Sequence, residues 1–466
     1  MATITCYGAA QEVTGSCHLL HTSNTHILLD CGLHQGNRSH RHLEAESFDF
    51  NPASLDAVIL SHAHLDHSGR LPMLVHQGFQ GPIYCTQATA QLLPIMLMDS
   101  YSLYRNDLKR INRKNQRQGK SIINEAYTVD DIDTVLELCR PKAYKQSFSI
   151  NEHIKVVLFD AGHILGSAIT RITINERESE KTLVYSGDLG KHGTLLMKDP
   201  EIIQQADIVM MEGTYGDRNH RDLTDTMGQF KQILADAYQR NGNVLLPAFA
   251  VGRTQELLLY LGKLQRNNEL DDWTIFLDSP MAIEVTHVYD QWLTSLDCEG
   301  VQALCEGDAT LLKNFISSLH LTIEAEHSMA INKIKNHAII IAGSGMCTGG
   351  RITHHFKHRI WDKRNTIIFV GYQAQSTPGR AIVDGAKYIK LFGESLQVNA
   401  SIETLGGFSA HAGQQGLLNW LGHFSPTPRV VLVHGEANAL DILSEKIWQQ
   451  FKVQPEIPAK GQVVAF

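Results

Sequence analysis

The sequence predicts an α/β protein in which a β-rich domain is interrupted by an inserted α/β domain built on a parallel sheet. Three observations predict it. Short strand-like runs, with Gly, Asn, Ser and Pro between them, crowd the first 210 residues. From residue 222 the rhythm changes to alternating helix and strand, the pattern of a parallel sheet covered on both faces. Strand-rich pattern returns near residue 390. The division is therefore 1–210 for the first part of the β-rich domain, 211–388 for the insertion and 389–466 for its C-terminal part. A chain of 466 residues, 43% hydrophobic and 19% charged, has core enough for two or three domains.

Runs at 3–9, 17–22, 26–32 and 55–62 read as the opening strands, and runs at 154–160, 168–174, 182–186 and 207–212 as later ones. Few long helices are expected between them. Residues 99–140 differ. Seven basic residues (Arg105, Lys109, Arg110, Arg113, Lys114, Arg117, Lys120) and one acid, Asp107, lie between 105 and 120, and 129–138 has helical spacing. Two readings stay open: a solvated helical insertion, or an arm that touches nucleic-acid backbone. In the insertion, helices at 224–240 and 253–266 precede strands at 243–249 and 274–278. A strand at 337–342, a helix at 351–359 and a strand at 366–371 follow. A helix at 410–422 and a strand at 429–434 complete the pattern.

Net charge of −8 argues against a protein that wraps duplex DNA non-specifically, but leaves room for a local basic groove. The start has no basic segment followed by an apolar one, and no run approaches the roughly 20 apolar residues of a membrane span. The eight cysteines form no CxxC pair. Reduced thiols in a cytoplasm are expected, with no membrane contact.

Histidine is the outlier, 24 against 41 Lys plus Arg. The densest cluster, Ser61-His62-Ala63-His64-Leu65-Asp66-His67, follows the apolar run Ala57-Val58-Ile59-Leu60. In extended chain, residues i and i+2 point the same way, so His62 and His64 can grip one metal. If the chain then turns into a helix, Asp66 and His67 face a second metal. Imidazole plus carboxylate is a zinc-type set, and bridging carboxylates suit paired ions. His163, Asp188 and His434 each follow a strand-like run beside glycine. Taken alone, each is more often structural than a ligand. Asp30 holds the same kind of position and suits the orienting of a ligand from behind.

These residues resemble a family. His62-x-His64-x-Asp66-His67 with His163 and Asp188 resembles the metallo-β-lactamase superfamily. Met211-Glu212-Gly213-Thr214-Tyr215-Gly216-Asp217-Arg218 resembles the acidic motif A of its β-CASP branch. Gly407-Phe408-Ser409-Ala410-His411-Ala412 resembles motif B, and Val433-His434-Gly435-Glu436 motif C. The strings Pro247 to Glu256 and Gly343 to Arg351 are also typical of that branch. Gly213 and Ser376 depart from it, at positions that are not metal ligands.

The resemblance implies an αββα sandwich with two Zn2+ ions, a β-CASP domain inserted in it, and ribonuclease activity. The compact bacterial or archaeal type, related to the pre-mRNA 3′-end processing endonuclease, is the nearest pattern. It implies His62, His64 and His163 on one zinc, Asp66, His67 and His434 on the other, and Asp188 between them. A zinc-activated hydroxide would then cleave single-stranded RNA. His411, held by Glu212, is the candidate proton donor, with Asp30 counted in the catalytic set. Arg253, Ser344, Thr348 and Ser409 are candidate substrate contacts. For Arg253 a surface salt bridge, and for Ser344 and Thr348 a tight strand-to-helix turn, are the plain alternatives. His354, His355 and His358 are expected to line a solvated helix face. The sequence leaves open a DNA nuclease, a small-molecule ester hydrolase and an inactive RNA-binding subunit. Oligomeric state is open too, with a homodimer allowed.

Overall fold

The computed structural model describes residues 2–34, 47–176, 179–270, 272–296, 310–312, 315–371 and 373–466. Internal contacts divide the chain into two compact units. The first comprises Met1–His192, Asp199–Asn219 and His411–Phe466, and the second Gly193–Lys198 and His220–Ala410.

The first unit contains two mixed sheets. One runs in the order Val463–Ala465, Thr3–Gly8, Cys17–His21, His26–Leu29, Ala57–Ile59, Ile83–Thr86, Cys139–Lys142. The other runs Arg429–Val433, Ile208–Glu212, Ser179–Tyr185, Ala168–Glu176, Ile154–Asp160, Ser147–Ser149. Strand alternation decides the layering. Ile27, Leu29 and Ile59 of the first sheet share a core with Leu158, Ile172, Leu183, Met210 and Val431 of the second. The residues between them point the other way. Leu28, Val58 and Cys85 pack on helical Leu93, Leu97 and Tyr104, while Val209, Met211 and Leu432 pack on Leu417, Leu440 and Leu443. Both sheets thus bury both faces, and the unit is an αββα sandwich.

The helix Gln87–Arg117 is 31 residues long, where few long helices and a solvated insertion are expected. Half of it is core. Tyr101, Tyr104 and Leu108 are buried at helical spacing with Tyr127, Ile132 and Val135 from the segment that follows. Only the part beyond Leu108 lacks buried residues.

The second unit holds a six-stranded sheet, Leu319–Leu321, Thr274–Leu277, Ala338–Ala342, Val244–Pro247, Thr366–Phe369, Ser401–Thr404, parallel throughout. Its central strands are buried along their length, and the helices Arg253–Arg266 and Gly350–Arg359 supply buried faces. The strand Ser401–Thr404 pairs with Thr366–Phe369, so this unit runs on to Ala410 where the sequence suggests a return at 389. A four-residue, half-buried edge strand carries no pattern that assigns it to one sheet.

Candidate metal centre

In the first unit the chemistry-bearing residues sit at strand C-termini. The strands ending before Asp30 and His62 are parallel neighbours. Those leading to Asp188, Glu212 and His434 are mutually parallel, and the strand before His163 shares their direction through an antiparallel partner. All six ends therefore open on one edge of the sandwich. After His62 the chain turns into the helix Leu65–Ser68, which carries Asp66 and His67.

Two groups of donors form there, His62, His64, His163 and Asp188, and Asp66, His67 and His434, with Asp188, Glu212 and His434 a third that overlaps both. Asp188 serves both. Its Oδ2 lies 3.6 Å from His62 Nε2 and 3.7 Å from His163 Nε2. Its Oδ1 lies 3.3 Å from His67 Nε2 and 3.5 Å from His434 Nδ1. Within the first group, His64 Nδ1 is 3.0 Å from His62 Nε2 and 3.3 Å from His163 Nε2. Across the second, His67 Nε2 and His434 Nε2 are 3.2 Å apart. A tetrahedral zinc with ligands at about 2.0–2.1 Å separates neighbouring donors by about 3.3 Å. The donors therefore fit that ion in type and spacing.

Protonation agrees for the first group. Burial holds the His62 and His163 imidazoles well below their ordinary pKa, and lowers His64 as well. Neutral imidazole offers the lone pair a metal needs. Burial also disfavours a charged Asp188, but His434 and His67 outweigh it and hold the carboxyl well below the usual range.

Hydroxyls and one further carboxylate fix the rings. Asp30 Oδ1 accepts the Ser61 N–H at 2.7 Å. Its Oδ2 accepts the Ser61 hydroxyl at 2.8 Å and the Tyr185 hydroxyl at 2.6 Å, and meets His67 Nδ1 at 2.7 Å. His67 Nδ1–H donates to that oxygen, which leaves Nε2 to face the metal position. Ser61 Oγ is also 3.0 Å from His62 Nδ1, and Thr214 Oγ1 is 3.1 Å from His434 Nδ1. Asp30 and His434 both adopt left-handed backbone, with φ of 60° and 51°. Such strain in non-glycine residues concentrates at functional sites. Gly32 is required by a close approach, since a Cβ there would sit 1.6 Å from the Asp66 carbonyl oxygen. Ser61, Tyr185 and Thr214 carry no role in the sequence reading. Their only signal is adjacency to His62, Asp188 and Glu212.

Glu212 is fully buried and its Oε1 accepts the Leu189 N–H at 2.6 Å. The same oxygen lies 3.2 Å from His411 Nδ1. His411 is pinned by a bridge to Gly190 and rests against the His163 ring, with centroids 4.4 Å apart. Burial works against its charged form, but Glu212, Asp188 and Asp66 more than reverse that and raise the imidazole to about 9.

The chain matches the Metallo-beta-lactamase superfamily domain over residues 19–206, the Beta-Casp domain over 254–382 and the Zn-dependent metallo-hydrolase RNA specificity domain over 395–458. It is 40% identical to Ribonuclease TTHA0252 of Thermus thermophilus over 435 residues, 93% of each chain. This chain belongs to the β-CASP family of the metallo-β-lactamase superfamily. It is accordingly an enzyme of a metal-dependent hydrolase family. Transcription termination factor FttA of Methanocaldococcus jannaschii is 32% identical over 464 residues, 97% of this chain and 69% of that protein. A crystal structure of a protein of unknown function from Enterococcus faecalis shares the fold, with TM-score 0.55, 15% identity and full coverage of both chains.

The β-CASP unit shows its substrate candidates in local contacts. Arg253 is only 5% exposed and pairs with Glu256 one turn along its helix, which in turn accepts the Tyr260 hydroxyl. Ser344 Oγ accepts the Thr348 N–H at 3.0 Å, so these two residues brace a strand-to-helix turn. Ser409 is buried. His354 and His358 are exposed, but His355 is not on a solvated face. It is 1% exposed and lies 2.6 Å from Asp278 Oδ2, because a carboxylate at the end of Thr274–Leu277 draws it inward.

Proposed function

We propose that this β-CASP enzyme is a di-zinc ribonuclease that hydrolyses phosphodiesters of single-stranded RNA. The observation that carries the reading is Asp188, whose two oxygens face two separate imidazole groups. His62, His64 and His163 would hold one zinc, Asp66, His67 and His434 the other, and Asp188 both. When bound, paired zinc ions supply a hydroxide nucleophile at neutral pH and a Lewis acid for phosphoryl oxygens. The names of the Thermus and archaeal relatives, a ribonuclease and a termination factor, support RNA as the substrate.

The chain's own groups do the rest. Asp30 and Ser61 hold His67 and His62 in the tautomer that presents Nε2. Glu212 engages His411 Nδ1, so Nε2 is the nitrogen that delivers a proton to the leaving sugar oxygen. Ser344, Thr348, Ser409 and Arg253 are the proposed substrate contacts, and Arg253 would have to release Glu256 to reach phosphate. The six described cysteines are free thiols, which supports a cytoplasmic setting.

The test is cleavage of end-labelled single-stranded RNA beside matched DNA, by wild type and Asp188→Ala, with zinc content measured on both. RNA loss with wild type alone is expected. A protein that holds two zincs and cleaves DNA as fast as RNA, or cleaves neither, sinks the proposal.

A further inference from the structure

The C-terminal half of the helix Gln87–Arg117 is unlike the rest of the surface. Residues 105–120 carry net +6 in a chain of net −8, so the remainder carries −14. All seven basic side chains in that segment are exposed. Arg105 and Arg110 have acidic partners, Glu125 and Asp107. Among the described residues, Lys109, Arg113, Lys114, Arg117 and Lys120 pair with no carboxylate. Arg105, Lys109, Arg113 and Arg117 fall at i, i+4, i+8 and i+12, one stripe along about 18 Å of helix. Like charges at i, i+4 destabilise a helix. The helix dipole favours Lys114 and Arg117 in the last turn, but not a stripe three turns long.

The arm is braced rather than loose. Asn112 exchanges two hydrogen bonds with the Ile123 backbone, both 2.8 Å, and the Tyr104 hydroxyl accepts the Ala126 N–H at 2.7 Å. Its other end is fixed to the metal centre's own loop. Thr86 and Thr89 hydroxyls donate to the Gly166 carbonyl at 2.7 and 2.9 Å, three residues beyond His163.

Resting on the ribonuclease reading, we infer that Lys109, Arg113, Lys114, Arg117 and Lys120 form a second RNA-backbone site on the metallo-β-lactamase unit, which anchors the substrate away from the scissile phosphate. Consecutive stripe residues are about 6 Å apart along the axis, close to every second phosphate of a strand rising about 3.4 Å per nucleotide. Lys109, the first residue of the site, lies about 33 Å along the helix from its start, so a stacked RNA shorter than about 10 nucleotides does not span from the helix start to it.

The test combines Lys109→Gln, Arg113→Gln, Lys114→Gln, Arg117→Gln and Lys120→Gln. Glutamine keeps helix propensity, so the arm should fold, and circular dichroism checks it. Binding of labelled RNAs of about 6 and about 30 nucleotides is measured in chelator, which suppresses cleavage, from about 50 to about 200 mM salt. At about −0.7 in log–log slope per contact, five lost contacts flatten the slope for the long RNA by about 3.5. Wild type should therefore lose about a hundredfold more affinity than the variant over that range. Binding and cleavage of the short RNA should stay within about twofold. Equal salt slopes for both proteins on the long RNA overturn the site. So does loss of binding to phosphatidylserine vesicles with RNA binding unchanged, which reassigns the arm to a lipid surface. If wild type binds long RNA with the steep slope yet cleaves none when zinc-loaded, the arm stands and the ribonuclease reading falls.

Discussion

Asp30→Asn tests how much of the metal centre depends on a residue that touches no metal position. Both carboxylate oxygens of Asp30 accept. One takes the Ser61 N–H, and the other takes the Ser61 and Tyr185 hydroxyls while facing His67 Nδ1. The asparagine NH2 must replace one of them. Placed at the first position it meets a backbone donor. Placed at the second it meets the Tyr185 hydroxyl and the His67 N–H, and His67 is pressed toward the tautomer with Nε2 protonated. Either way a buried donor faces a donor. Loss of such a ligand-orienting partner lowers metal affinity about 10–100-fold, or about 1.4–2.7 kcal/mol. Competition for zinc against a chromophoric chelator measures it. The variant should release one zinc at chelator concentrations that leave wild type loaded with two, and RNA cleavage should recover in excess zinc. Wild-type affinity at both sites would refute the assignment of His67 orientation to Asp30.

Three further outcomes are expected. His411→Ala should keep two zincs per chain while single-turnover cleavage of RNA slows by about 10²–10⁴-fold, and an unchanged rate at every pH would remove His411 from the chemistry. Chelation should destabilise the metallo-β-lactamase unit reversibly, lowering its thermal midpoint through loss of the about 2.7 kcal/mol that a ligand at a hundred times its Kd provides, and leave the β-CASP transition in place. Asp278→Asn should act on the β-CASP unit alone. Burial opposes ionisation of Asp278, but His355, Ser328, Thr322 and Arg351 outweigh it and hold the carboxyl below the usual range. Its contribution is therefore complete above the unfolded value of about 3.9 and lost as pH falls below that. Denaturant unfolding should show a variant about 3 kcal/mol less stable at neutral pH, with a shallower loss in acid.

The donors were legible where local geometry does the work. His62 and His64 alternate on extended chain, and Asp66 and His67 follow on a helix, so one short string announces two groups. His163, Asp188 and His434 were legible only as strand ends beside glycine. Their convergence depends on the parallel pairing of strands far apart in sequence. Tyr185 and Ser61 show no signal beyond adjacency to His62 and Asp188, because a buried hydroxyl looks like any core residue until its acceptor, Asp30, is brought across the sandwich. His355 misled for the same reason, with its partner 77 positions away. Arg253 is different: an ion pair is the plain alternative for it in sequence, but its partner Glu256 lies three residues on and the pair is buried rather than at the surface. The helix from Gln87 was obscured by Pro94 within it and by the charge run at its end.

His67 and His434 face each other across 367 positions of chain, and the strand before His434 pairs with Ile208–Glu212 on the far side of the whole β-CASP segment. A nascent chain emerging from the ribosome therefore carries six of the seven proposed zinc donors, and an incomplete second group, for most of its synthesis. The helix and strands around His62 can form early, yet the second group lacks His434 until almost everything else has been translated. Such high contact order makes the closing strand a late event in folding. It also means that a truncated translation product is born without a competent hydrolytic centre, a built-in safeguard for an enzyme proposed to work on the same class of polymer that encodes it.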